Sequence, residues 1–412
     1  MIEGKTAYKE WEDAVRDYLL IVDKHIIKLI PALLITHRLP GDPVWSFLVA
    51  PPGGAKTEFI KAMNDIANVY PISSLTSKTL VSGARMAGGD TSLLLKVQNG
   101  YFTFEDFTTL LAEKEEASII MGQLRGIYGG KFDKDFGTGQ RVQWEGKITL
   151  IAGATYAIHG KRQVFSNMGE RFMIYNIQQP DRTEVTMRAI ENHERTDINR
   201  KRGGMGIALK NLVDVALTIP DELPRMSMKH KRLIAGISEF TTRARSSVER
   251  DYSSQKKEIV EVYPPEMPTR LAAQLLKIAH GFMVINEYNT GSYDLMEEDI
   301  DCLKRLGLDC VSPVRRLILI ELAKYEEIEG PGLAMKLNLP SVTTDRYLQD
   351  FDALGLVNRT KGGRSNIWVM KPNYREIVAS IEHIEVTKEE LTVAGVMDES
   401  GLTTPEDEFE GF

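Results

Sequence analysis

The chain has 412 residues, a formal net charge of −7 and two cysteines. That length predicts two or three domains with ample material for a core, and the two cysteines, Cys302 and Cys310, exclude a disulfide framework or a cysteine-rich zinc site. The acidic balance excludes a wholesale basic nucleic-acid coat but leaves room for local basic patches.

Residues 5–38 carry helical periodicity around Trp11, Val15, Leu19, Val22, Ile26 and Ile30, and Gly41-Asp42-Pro43 stops it, so 1–43 reads as an N-terminal helical segment. The longest apolar run, Tyr18 to Ile35, is broken by Asp23, Lys24, His25, Lys28 and Pro31, too early to span a bilayer. With no signal peptide, the expected compartment is the cytoplasm, with no membrane partner.

The strand predicted over Val44 to Val49 runs into Ala50-Pro51-Pro52-Gly53-Gly54-Ala55-Lys56-Thr57, with a helix expected from Glu58 to Ile66. An apolar strand, a tight Gly/Pro turn and Lys-Thr describe a phosphate cradle. The turn aims backbone amides at one phosphate, the Lys reaches β/γ oxygens, and the hydroxyl holds Mg²⁺. Pro52, Gly53, Gly54, Ala55, Lys56 and Thr57 are therefore the expected contacts for ATP and Mg²⁺. Ala50 and Ala55 stand where the consensus has Gly, which requires unstrained backbone angles at both.

Residues 70–180 alternate short β-rich runs with helical patterns, predicting an α/β sheet flanked by helices. Tyr101-Phe102-Thr103-Phe104 reads as a strand ending in Glu105-Asp106. Two carboxylates leaving a strand can hold Mg²⁺ and orient an attacking water. A gap-free reading puts Glu105 on the metal and Asp106 at the water, the reverse of the usual order, and the division between them stays open. Lys147 to Ala152 is the clearest further strand. Residues from about 205 to 285 are mostly helical, and a third unit begins near Ser312.

In that third unit, helices are predicted over Pro313 to Tyr325, Leu333 to Leu337 and Ser341 to Leu354. Val357-Asn358-Arg359, a turn at Lys361-Gly362-Gly363-Arg364 and a strand from Asn366 to Met370 follow. Three helices and a Gly-tipped basic hairpin describe a winged helix-turn-helix. In the DNA-binding reading Thr343, Thr344, Arg346 and Tyr347 lie on the third helix, and Arg359, Lys361 and Arg364 grip a phosphate backbone; a protein-protein module is the alternative.

The order of these motifs resembles the AAA+ ATPases, and among them the minichromosome maintenance (MCM) helicases and their relatives on mobile elements. Ala precedes the phosphate-loop Lys in Gly54-Ala55-Lys56-Thr57, and Phe follows the acidic pair in Glu105-Asp106-Phe107. The resemblance implies a polar sensor at Thr155, where the family has Asn. It also implies an arginine finger at Arg171, in Gly169-Glu170-Arg171-Phe172, delivered to a neighbouring subunit. A second sensor is implied at Arg270 in Thr269-Arg270-Leu271. A ring, commonly a hexamer, is the implied active form. The family's pore hairpin is matched over Lys131 to Arg141, making Lys131, Lys134 and Arg141 candidate DNA phosphate contacts, with an ordinary surface hairpin as the alternative.

The predicted fold class is α/β: a P-loop AAA+ core over 44–200 with a helical lid over 201–300, followed by a winged helix-turn-helix over 312–375. An acidic flexible tail follows over 384–412, where Phe409 and Phe412 can meet a replication partner. The expected function is a ring-forming, ATP-dependent DNA helicase or translocase of a phage or mobile element. The alternative is a nucleotide-gated helicase loader or transposition regulator with slow turnover. The family's large N-terminal region has no counterpart in the roughly 43 residues before the core.

Overall fold

Apolar runs too short for helices and dense in Val, Ile and aromatics become the strands of a parallel sheet. The computed structural model of the protein describes residues 2–82, 85–86, 89–90, 92–111, 114–137, 141–161, 170–216, 223–251, 253, 257–363, 365–381 and 386–393. The chain divides into two units, Met1–Arg225 with Lys277–Asp299, and Met226–Leu276 with Ile300–Phe412.

In the first unit, besides a short pair at Arg85–Met86 and Gly89–Asp90, the strands are β1 (Trp45–Val49), β2 (Val69–Pro71), β3 (Asn99–Phe104), β4 (Lys131–Asp135), β5 (Arg141–Glu145), β6 (Lys147–Ala154) and β7 (Phe172–Asn176). Five form one parallel sheet in the order β2-β3-β6-β1-β7, while β4 and β5 make a separate antiparallel hairpin. Every residue of β1 and β7 is buried. Val49 pairs with both Ala154 and Asn176, so three strands end level with one another. Aromatic rings fill one region beside β1: Phe47 stacks on Phe172 at 4.1 Å, and Trp45 lies 5.2 Å from both Phe172 and Tyr128.

Besides a single turn at Ser77–Leu80, the helices here are α1 (Ile2–Tyr18), α2 (Lys24–Thr36), α3 (Lys56–Ala62), α4 (Lys114–Tyr128), α5 (Arg182–Glu194) and α6 (Ile198–Ala216). The helical run expected over 5–38 is thus two helices, parted at residues 19–23, with Val22 46% exposed. Asp23 makes the break. Its Oδ1 accepts from the amides of His25 and Ile26, capping α2, and from Tyr175 Oη at 2.7 Å, while Oδ2 accepts from the Gln178 amide at 2.9 Å. Inside α2, Pro31 has no amide to offer the Ile27 carbonyl four residues back. The Trp11 indole donates to that carbonyl at 2.6 Å, so α1 supplies the bond that the proline withholds.

The second unit contains α7 (Met228–Ala244). Helix α8 (Thr269–Thr290) and helix α9 (Glu297–Asp309) each contribute residues to both units. The stretch expected as one lid over 201–300 is therefore divided, with 201–225 and 277–299 in the first unit and 226–276 in the second. Close packing draws the first set in. A Cβ on Gly281 would lie 2.8 Å from the Ala32 carbonyl oxygen, and one on Gly206 would lie 2.4 Å from Asp65 Oδ2.

The rest of the second unit comprises the hairpin of β8 (Val248–Arg250) and β9 (Ile259–Val262), then α10 (Pro313–Ala323), β10 (Ile328–Glu329), α11 (Gly330–Leu337) and α12 (Ser341–Ala353). It ends with β11 (Val357–Gly362), β12 (Ser365–Met370), α13 (Pro372–Ala379) and α14 (Lys388–Val393). Strands β10, β12 and β11 form an antiparallel sheet in that order. The two-residue β10 is too short to show a period and is absent from the sequence reading. Asn338, left-handed at φ 53°, ends α11 before Pro340 begins the next turn.

A flexible tail from 384 does not hold for Lys388–Val393, which is helical with Glu390 1% exposed. Arg316 is fully buried and needs carboxylates at hand. Asp309 accepts from it at 2.9 Å, and Glu390 is its second partner. Residues 394–412, with Phe409 and Phe412, lie outside the described residues.

Asp23→Ala removes the cap and leaves buried donors unsatisfied, so a loss of about 3 kcal/mol is expected. Urea unfolding measures it; an unchanged midpoint would show that the carboxylate does not organise this junction.

Candidate nucleotide site and nucleic-acid surfaces

Buried β1 delivers the chain to a loop whose shape is set by backbone angles and amide bonds. The Ala50 amide continues the ladder to the Ala154 carbonyl at 3.2 Å, and the Gly54 amide returns to Pro51 O at 3.0 Å. Gly53 has φ +79°, and Ala55 is left-handed at φ 63°, ψ −14°. The unstrained backbone expected at Ala55 is thus overturned: alanine occupies the conformation natural to glycine, at a cost of about 1–2 kcal/mol. Among the described residues, the amides of Gly53 and Ala55 have no hydrogen-bond partner. A Cβ on Gly54 would lie 2.8 Å from both Ala50 Cβ and Gln179 Oε1, so this glycine is required for close packing.

Lys56 begins α3 and is 5% exposed. Its ammonium donates to the carbonyls of Ala50 at 3.2 Å and Pro51 at 3.0 Å, folding back over the loop. Burial pulls its pKa below the ordinary lysine value, and the charge of Asp106 opposes that shift.

The acidic pair leaves β3 two strands away, with β6 between. Asp106 is thereby the carboxylate that acts on Lys56, whereas Glu105 is turned to Lys61 at 3.5 Å. Asp106 Oδ1 accepts from the Thr108 amide at 2.9 Å, and Thr108 Oγ1 accepts from the Thr155 amide at 2.9 Å. The hydroxyls of Thr108 and Thr155 are 3.3 Å apart. Thr155 is thus linked to the acidic pair through Thr108, a residue the sequence reading did not single out. Gly153 was also missed. A Cβ there would lie 2.4 Å from the Glu105 carbonyl oxygen and 3.4 Å from Lys56 Cδ.

A cavity of about 250 Å³ opens beside the loop, with Gly53 to Thr57 on one side. Tyr18, Leu19, Val185, Ala189 and Ile198 line the rest, with Arg188 and His193. Side-chain donors hold this wall by the C-terminal carbonyls of α1: Arg188 donates to Asp17 O at 2.6 Å and Asn192 to Tyr18 O at 2.9 Å. Arg202 grips Glu58 through two bonds of 2.9 and 2.8 Å and Tyr18 Oη at 3.0 Å. Nothing in the sequence signalled this wall, because its parts lie more than a hundred residues apart along the chain.

The structure does not bring every expected residue to this cavity. Arg171 precedes β7 at the opposite end of the sheet, next to Phe172, which pairs with Trp45. Five residues of strand put it roughly 15 Å from the loop of its own chain. Its guanidinium sits 5.4 Å from the Tyr128 ring centre. Arg270 lies in the first turn of α8, half-buried, in the second unit.

The hairpin expected around Lys131 to Arg141 is present, but its cations are engaged. Arg141 makes a two-bond clamp on Asp133, with Nε at 2.9 Å, and lies 3.7 Å from Asp135. Lys131 pairs with Glu145 at 3.3 Å, and Lys134 stands 5.0 Å over the Phe136 ring. Residues 138–140 lie outside the described residues.

On the second unit's hairpin, Arg359 is exposed over the Trp368 ring at 5.9 Å, and Lys361 is exposed with no ion pair among the described residues. Arg364 lies outside the described residues. Thr343 and Arg346 are half-buried on α12. Thr344 is 0% exposed, which overturns its expected role as a DNA contact: helical periodicity points it into the core.

Among the described residues no helix is long and apolar enough to cross a membrane. Comparison with protein-family models gives no match, and none of the curated proteins matches the chain.

Two opposed backbone effects are expected from substitutions here. Ala55→Gly relieves the left-handed strain and, after the greater entropy of glycine in the unfolded chain, stabilises by about 0.5–1 kcal/mol. Gly153→Ala forces the Glu105 carbonyl away and destabilises by about 1–3 kcal/mol. Denaturation midpoints test both signs.

Proposed function

We propose that the protein is a nucleoside-triphosphate-hydrolysing DNA motor, an AAA+ ATPase of the MCM-helicase kind that works as a ring. The observation that carries this reading is the convergence of Lys56, Asp106 and Thr155 at one end of a parallel sheet, beside a loop with unpartnered amides. Binding sites in such sheets lie outside the carboxyl ends of the strands.

The residues fit a magnesium nucleotide. The Gly53 and Ala55 amides can donate to phosphate oxygens, and Lys56 can exchange the carbonyls of Ala50 and Pro51 for a phosphate. Thr57 and Asp106 are hard oxygen donors suited to Mg²⁺, which is commonly held by one or two protein oxygens and the phosphates. Glu105 or Asp106 would orient the attacking water, and Thr155 would stabilise charge on the phosphoryl oxygens. The bound nucleotide supplies the phosphoanhydride bond whose cleavage drives the motor. The apolar wall from Tyr18 to Ile198 suits the base. Arg171 is too far from its own loop to act there, which supports delivery to a neighbour's site and hence a ring. The three helices and three-stranded sheet of 312–375 support a winged helix whose Arg359 and Lys361 contact DNA.

One observation favours the second reading, a nucleotide-gated loader or replication regulator with slow turnover. In the β4–β5 hairpin Glu145 pairs with Lys131, and Asp133 and Asp135 pair with Arg141, which weakens its grip on a phosphate backbone.

Steady-state ATP hydrolysis with and without DNA tests the motor reading. Lys56→Ala and Arg171→Ala should each abolish DNA-stimulated turnover, and mixing them should restore part of it. DNA-independent or absent turnover would transfer the assignment to the regulator.

Arg359→Gln with Lys361→Gln should weaken DNA binding and lower the slope of log affinity against log salt by about 2, since each cation neutralises one phosphate. An unchanged slope would assign the module to protein contacts.

A further inference from the structure

We propose that Lys147 and Lys277 form a second anion site, taking a phosphate group, at the end of the sheet opposite the phosphate loop. Lys147 opens β6 and Thr155 follows its far end, so eight residues of strand separate the two places, roughly 23 Å. The two groups come from separate parts of the first unit, the start of β6 and the middle of α8, and both reach the chain that follows α2, at Leu39 and Asp42.

What marks the cluster is charge without a counterion. Lys147 donates to the Leu39 carbonyl and Lys277 to the Asp42 carbonyl, which orient the ammonium groups without neutralising them. No carboxylate among the described residues lies within ion-pair distance of Arg38, Lys147 or Lys277, although other buried or half-buried cations of the same unit, such as Lys28, have one. Asp42 is the acid whose charge acts on both lysines. Burial and the neighbouring Lys147 push Lys277 down to about 8. Burial, and after it the charges of Lys147, Arg38 and Lys277, push His37 down to about 4, leaving it neutral against Thr149 Oγ1 at 3.0 Å. A folded chain that holds two half-buried ammonium groups side by side bears a repulsion that a bound dianion would remove. Gly41, at φ +83°, passes beside the cluster: a Cβ there would lie 3.6 Å from Lys277 Nζ.

The source of the phosphate is either a nucleic-acid backbone or a small phosphate. The base of the β4–β5 hairpin adjoins the cluster, with the Gly146 amide bonded to Gly130 O at 3.0 Å just before Lys147. A strand lying along that hairpin would thus find here the uncompensated charge that the hairpin lacks.

The test uses the full chain carrying Lys56→Ala, so that the phosphate loop does not contribute and the outcome is independent of the nucleotide reading. Pyrophosphate and a single-stranded oligonucleotide are titrated into this protein and into the same protein with Lys147→Gln and Lys277→Gln. The added pair should weaken pyrophosphate binding about tenfold or more, the loss expected for charge-assisted bonds. An equal loss for the oligonucleotide identifies a nucleic-acid backbone, and a loss for pyrophosphate alone identifies a small phosphate. Affinities unchanged for both ligands, or no pyrophosphate binding before the pair is added, would overturn the site. Thermal midpoints should not fall, since the substitutions relieve repulsion. Should the double variant fail to fold, Lys277→Gln alone gives the same comparison.

Discussion

The candidate site depends on the parallel alignment of β3, β6 and β1. Parallel strands place all their carboxyl ends on one edge, and strand spacing then puts the acidic turn about 10 Å from the phosphate loop. Near the end of β6, between them, Gly153 has no side chain, which leaves room for the Glu105 carbonyl and the Lys56 stem. A bulkier residue would separate cation from carboxylate, whatever the chemistry of each.

The second requirement is a wall for the cavity, and the N-terminal helices supply it through directed polar bonds. Asp23 joins the break between α1 and α2 to β7, and the Trp11 indole repairs the bond lost at Pro31. Arg188, Asn192 and Lys201 then bind the carbonyls that end α1. Helix C-termini leave such acceptors open, so donors of a distant segment cap the helix, and two of them, Arg188 and Asn192, also line the pocket.

The two units treat charge differently from place to place. Lys28 with Asp299 and Asn286, and Arg316 with Asp309 and Glu390, are buried ions matched by acceptors. The β4–β5 hairpin matches its charges across strands: Arg141 opposes Asp135 directly and Asp133 diagonally. Against these, the uncompensated Lys147 and Lys277 stand apart as charges that the fold orients and does not neutralise.

The sequence by itself determined the local elements whose signals are contiguous: the strand and loop from Val44 to Thr57, the acidic end of β3, the β4–β5 hairpin, and the three helices and hairpin of 312–375. Gly and Pro turns, apolar periods and adjacent charges are properties of neighbours along the chain, so they are legible there. Only the tertiary structure decided that Ala55 is left-handed, that Asp106 and not Glu105 acts on Lys56, that Thr344 is buried, and that Glu390 belongs to a helix. Each follows from a contact with a residue distant in sequence or from the packing around it. Thr155 comes to the acidic pair through Thr108 across two strands, and Glu390 meets Arg316 across 74 residues. Such pairings arise from how layers pack, which a one-dimensional period does not encode.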